Sequence, residues 1–129
     1  MLQKFNVKNK DLLVYVNGEL IHRDQPHVSA FDSAVQGGDA VWEGLRLYTE
    51  GVFCFRAHYN RMYESAKACG FEKIPNFEEV KNAVKQTVQA NGMTDDTHIR
   101  LTLSRGVKIT SGMDPRLNQN GPVLIVLAE

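Results

Sequence analysis

The chain has 129 residues, 43% hydrophobic and 23% charged, the composition of one globular domain that buries roughly two thirds of its unfolded surface. Fifteen basic residues balance fifteen acidic ones, so no net field draws the chain to nucleic acid or to an anionic membrane. The opening MLQKFNVKNKD has no apolar run of leader length, and no stretch approaches a membrane span, which predicts a cytoplasmic protein. Cys54 and Cys69 match no metal-ligand spacing and are expected to be reduced core residues.

In chain order, LLVYVNGELIH (12–22) places two short apolar runs around Asn17-Gly18. That pair predicts a hairpin, because a type I′ turn needs positive φ at both central residues. Residues 23–39 read as a loop with one helical turn near Ser33. AVWEGLRLYTEGVFCF (40–55) predicts a second hairpin turning near Glu50-Gly51. From about Ala57 to Cys69 the period becomes helical, with Tyr59, Met62, Tyr63, Ala66 and Cys69 on one stripe and Gly70 as a left-handed cap. A second helix starts at Asn76, with Glu79 three residues on as a capping box. Its buried stripe is Val80, Ala83, Val84 and Val88, and Asn91-Gly92 ends it.

THIRLTLSRG (97–106) alternates with period two: Ile99, Leu101 and Leu103 face one way, His98, Arg100 and Thr102 the other. A polar loop follows. VLIVLAE is then a strand apolar enough to be central and covered on both faces. Complete chains end on such a strand, and so does a fragment cut at a domain boundary. Strands and helices are segregated, which predicts an α+β domain with an antiparallel or mixed sheet and two helices packed on it.

The residues with chemical potential are few. Trp42, the one tryptophan, begins Trp42-Glu43-Gly44, where alternation sends Glu43 to the opposite face and Gly44 marks close approach of a ligand or neighbouring chain. His58, Arg61 and Ser65 share a helix flank, and Arg61 lies where a helix start favours anions. Spacing alone leaves it either a solvated arginine or a phosphate grip. Arg100 is likewise either a surface charge or a carboxylate receptor on a rigid strand. Asp32, Ser33 and His58 offer hydrolytic side chains with nothing to orient them, and no metal, P-loop or dinucleotide motif is present.

Three stretches taken together, YVNGEL…VSAFDSAVQGGDAVWEGLRLY, FRAHYNRMYESAKACGF and HIRLTLSRG, resemble the N-terminal domain of the class IV, fold-type IV aminotransferases. These use pyridoxal 5′-phosphate and include branched-chain and D-amino acid aminotransferases and aminodeoxychorismate lyase. The resemblance runs from about Val14 to Glu129, so residues 1–129 are expected to form the small N-terminal domain. It implies that Arg61, in His-x-x-Arg, contacts the cofactor phosphate. It also implies that Trp42, with Glu43 and Gly44, borders the substrate pocket and that Arg100 takes part in substrate recognition.

Branched-chain enzymes usually carry tyrosine where Gly37 and His98 stand, and the Arg-x-His pair of D-amino acid enzymes is not visible after Gly106. The cofactor-bearing lysine and the acid against the pyridine nitrogen belong to the family's second domain, so this chain is expected to be inactive alone. The lysines Lys67, Lys81 and Lys85 fall on exposed helix faces. The implied substrates are an amino acid and a 2-oxo acid, in a homodimeric enzyme. Two other functions stay open: a lyase of the aminodeoxychorismate type, and a non-catalytic binding or oligomerisation module.

Overall fold

Asn17 and Gly18 take φ of 49° and 102°, the turn their side chains permit, and join β1 (Leu13–Val16) to β2 (Glu19–His22). The computed structural model describes residues 2–25 and 27–129; Met1 and Pro26, from the opening segment and the 23–39 loop, lie outside the described residues. The turn near Ser33 is a short helix, α1 (Ser33–Gly37). The Asp32 carboxylate caps it by accepting from the Ala34 N–H at 2.8 Å, and Gly38 in the left-handed region ends it.

The second hairpin is β3 (Ala40–Tyr48) with β4 (Gly51–Val52), followed by α2 (Phe55–Ala68), α3 (Phe77–Ala90), β5 (Thr97–Ser104) and β6 (Val123–Ala128). The strands form one sheet in the order β2-β1-β6-β5-β3-β4. Every pairing is antiparallel, so of the two sheet types expected it is the antiparallel one. Among the described residues no helix is long and apolar enough to cross a membrane.

Both long helices end and begin where their caps dictate. At the end of α2 the Gly70 N–H donates to the Lys67 carbonyl and the Phe71 N–H to the Ala66 carbonyl, each at 2.9 Å. Buried Phe71 then closes over the last turn. At the start of α3 the Asn76 and Glu79 side chains each accept from the other's N–H, at 2.9 and 2.7 Å.

α2 begins at Phe55, before the expected Ala57, and β4 is correspondingly short. Phe55 packs edge-on to Phe77 with centroids 5.2 Å apart, and that contact pulls the chain into the helix early. Cys54 and Cys69 are exposed, contrary to their expected burial, because they are the two cap residues of α2, where the chain leaves the helix on its outer side. Tyr63 is likewise turned outward.

The core is the layer between α2 and α3 and one face of the sheet. Met62, Ala66, Val80 and Val84 meet Ile99, Leu101, Leu103, Leu124 and Val126. β6 is interior, between β1 and β5, as its sequence predicts. Its burial nevertheless alternates, with Leu124, Val126 and Ala128 buried and Val123, Ile125 and Leu127 half-buried, because both long helices cover the same face.

These packing relations rank three substitutions. Leu101→Ala empties a fully buried site and is expected to cost about 2–5 kcal/mol, whereas Asn76→Ala removes one cap and costs about 1 kcal/mol. Gly106→Ala should exceed Asn76→Ala: a Cβ there would lie 2.0 Å from the Gly121 carbonyl oxygen, at a φ of +111°. Urea unfolding of the three variants checks the order.

Candidate active site

The pairing of β3 with β5 sets Trp42 opposite Thr102, Glu43 opposite Leu101, Gly44 opposite Arg100 and Arg46 opposite His98. Directly opposed residues share a face. Trp42, Gly44, Arg46, His98, Arg100 and Thr102 therefore lie away from α2 and α3, while Glu43 lies on the helix side with Leu45 and Leu101.

On the helix-free face Trp42 is 58% exposed, and the Arg100 guanidinium carbon sits 4.0 Å from its ring centroid. That stacking holds the exposed, planar cation of β5 against the indole. Gly44 forms the floor beside it: a Cβ there would come 3.4 Å from His98 Cε1 and 3.9 Å from Trp42 Cζ3. Those are ordinary contact distances, so a methyl fits and only a side chain reaching beyond Cβ would crowd the imidazole or the indole. Arg46 is paired to Asp96.

On the helix side Glu43 is 4% exposed. Its Oε1 accepts from Arg61 Nε at 2.7 Å and its Oε2 from Arg61 Nη2 at 2.7 Å. Oε2 also takes His58 Nδ1 at 2.8 Å, which puts a proton on that nitrogen. His58 and Arg61 reach one carboxylate because they are three residues apart on α2. The Arg61 hydrogen bonds hold the Glu43 carboxyl below its ordinary pKa against the opposing pull of burial, and the His58 bond adds to them. Glu43 in turn holds the Arg61 guanidinium charged, raising its pKa.

The Arg61 side chain stays 70% exposed. Among the described residues its hydrogen bonds go to Glu43 alone. Three of its five N–H groups, the Nη1 pair and the outer Nη2 hydrogen, are therefore open to an anion.

The structure thus assembles the expected residues into two groups on opposite sides of β3: Trp42, Gly44 and Arg100 on one, Arg61 and Glu43 on the other. Glu43, expected at the pocket wall, faces the helices because strand alternation forbids it Trp42's side. Ser65 makes no hydrogen bond to Arg61 or Glu43.

Asp32, Ser33 and His58 do not meet. Asp32 takes the Ser104 hydroxyl at 3.0 Å, the Ser33 hydroxyl accepts from Asn118 Nδ2 at 2.7 Å, and His58 is on Glu43. Sequence reasoning missed Arg105, whose guanidinium donates to Asp39 at 2.6 Å and to the Cys69 carbonyl at 2.6 Å. It ties the turn before β3 to the end of α2, and no local pattern announces it. A cleft of about 620 Å³ beside Arg105 contains none of the candidate residues.

The Glu43 pairing has a pH signature. Its folded pKa lies below the 4.5 of the free group, so its ionised form stabilises the fold fully above pH 4.5. That contribution is lost as pH falls from there through the folded value. The stability gap between the wild-type chain and Glu43→Gln should therefore change across that acid window. Urea titrations at a series of pH values test this, and a gap that stays flat through the window would refute it.

Residues 40–128 match the family described as Amino-transferase class IV. Branched-chain-amino-acid aminotransferase-like protein 1 of Arabidopsis thaliana is 52% identical over 122 residues, 95% of this chain and 22% of that protein. Among solved structures, the branched-chain amino acid aminotransferase from Escherichia coli superposes with a TM-score of 0.77 at 26% identity, over 93% of this chain and 41% of that one. The T.th. branched-chain amino acid aminotransferase complexed with N-(5'-phosphopyridoxyl)-L-glutamate gives 0.76 at 29% identity, over 91% and 40%. The chain thus spans between a fifth and two fifths of the proteins it matches. With this match running through β3, α2, α3, β5 and β6, the chain belongs to the class IV aminotransferase family.

Proposed function

We propose that this chain supplies one wall of the active site of a pyridoxal 5′-phosphate-dependent aminotransferase, passing an amino group between an amino acid and a 2-oxo acid. The observation that carries the reading is the Trp42–Arg100 pair over Gly44: an exposed cation stacked at 4.0 Å on an exposed indole. Such a surface takes a planar carboxylate with two parallel hydrogen bonds and shields the rest of the ligand from water on one side.

The residues present fit the cofactor's phosphate, since Arg61 offers three unpaired N–H groups at an exposed helix flank. When bound, the cofactor supplies an electron sink for the amino-group transfer. Arg61 binds and orients the phosphate end from the helix side of β3, while on the other side Arg100 holds a substrate carboxylate and Trp42 with Gly44 shapes the pocket around it. The lysine that carries the cofactor is assigned outside these residues, in a second domain. Lys67, Lys81 and Lys85 point into solvent, and buried Lys108 donates to the Gly112 carbonyl of its own loop.

The helix-free sheet face carries exposed Trp42 and half-buried Ile125 and Leu127, side chains that a covering domain would bury. A second domain over it, in a cytoplasmic homodimer, completes the reading.

The 129-residue chain alone is expected to show no transamination with added cofactor, and a longer polypeptide carrying it is expected to be active. Turnover by the pure short chain would sink the two-domain reading. In the active polypeptide, Arg61→Lys should weaken pyridoxal 5′-phosphate binding and Arg100→Ala should raise KM for the carboxylate substrate. Each effect should be roughly ten- to hundredfold, as expected for a lost charged hydrogen bond. Cofactor titration by absorbance and steady-state kinetics decide between these outcomes and none.

A further inference from the structure

We propose that Glu43 is a positioning residue: braced by His58, it grips Arg61 side-on and so aims the free edge of the guanidinium at a phosphate ester. The inference rests on the reading of Arg61 as a phosphate contact and deepens it.

A guanidinium has two edges that match a pair of oxygens. Glu43 occupies the edge formed by Nε and Nη2, at 2.7 Å for each bond. Among the described residues the edge formed by Nη1 and Nη2 has no partner. That remaining fork has the geometry for two phosphate oxygens.

Unpaired, a long side chain on an exposed helix flank samples many rotamers. Here the anchor is a carboxylate on β3, within the eight-residue ladder with β5 and opposite fully buried Leu101. Its own second oxygen is fixed by His58 Nδ1 at 2.8 Å. Each oxygen of Glu43 is therefore engaged, and the fork is aimed before any ligand arrives.

The alternative is that Glu43 merely holds α2 to the sheet. Its neighbours on that face, Leu45, Leu47 and Leu101, do that by burial alone. A carboxylate 4% exposed among them loses hydration that an apolar side chain would not, and buried ion pairs commonly add little to stability over an apolar substitute. Glu43 also offsets part of the Arg61 charge, which weakens attraction for an anion. The two anions approach opposite edges, and the ligand side is solvent-exposed, so screening limits that loss. Orientation is what Glu43 adds.

The test uses the 15N-labelled chain with inorganic phosphate and phenyl phosphate, a phosphate monoester that cannot react with lysines. In wild type the Arg61 Nε–H, sheltered by Glu43, should give an NMR signal protected from exchange, identified by its absence in Arg61→Lys. Either ligand should shift the Nη signals and leave the Nε–H signal in place. Its disappearance on saturation would mean that the ligand displaces Glu43, and would overturn the proposal without any variant at Glu43.

Glu43→Gln should lose the Nε–H signal and weaken phosphate binding about fivefold or more. The same change in the Arg61→Lys background should have no further effect. Should Glu43→Gln fail to fold, Glu43→Met, which suits the apolar face, takes its place. Binding weakened by Arg61→Lys but untouched at position 43 would reject the role of Glu43 and keep the phosphate reading. No phosphate response in wild type, or none sensitive to Arg61, would reject both.

Discussion

The register between β3 and β5, from Ala40 opposite Ser104 to Leu47 opposite Thr97, is the constraint on which both halves of the site depend. It puts Gly44 against Arg100 and Glu43 against Leu101, and so decides which side chains meet water and which meet the helices. A slip of β5 by one residue would bury Arg100 and expose Leu101, and a slip of β3 would bury Trp42 and expose Leu45. The slip is resisted by the core residues themselves: Leu45, Ile99, Leu101 and Leu103 are each at most 2% exposed, and whichever strand moved would take its own set out of the core. Hydrophobic burial, which has no chemical specificity of its own, thereby sets the geometry of a polar site.

What the register does not hold, a few buried polar groups do. Arg105 spans the Asp39 carboxylate and the carbonyls of Cys69 and Gly70, with Phe71 beneath its plane at 4.7 Å. Asp32, fully buried, accepts from the Ala34 N–H and the Ser104 hydroxyl. Asn118 brings the long loop before β6 onto Ser33 and the Gly106 carbonyl. These bonds join segments far apart in the chain, and together they fix the turn at Gly37-Gly38 from which β3 sets out.

That division explains what could be read before folding. Asn17-Gly18, the Asn76–Glu79 box, Gly70 and the alternation of 97–104 are local rules, each satisfied within a few residues, and the structure keeps them. The two faces of β3 were also legible, since alternation alone separates Trp42 from Glu43. The partner of Glu43 was not, because it lies 15 to 18 residues on, across a strand-to-helix turn whose geometry no pattern encodes. Cys54 and Cys69 misled for a related reason: a helical stripe predicts burial along the helix but not at its caps, where the chain turns outward. β6 misled because apolar composition suggests two covered faces, whereas the connections placed both long helices on one.

The sheet's edges are its two shortest strands, β4 with two residues and β2 with four. β5 and β6 lie inside, but β4 covers β3 at Leu47 and Tyr48 alone. From Ala40 to Leu45 the outer side of β3 is therefore a margin of the sheet, and the strand that carries Trp42 and Glu43 is one that another chain could extend by backbone pairing. Assembly through this side is thus not confined to side chains meeting face to face.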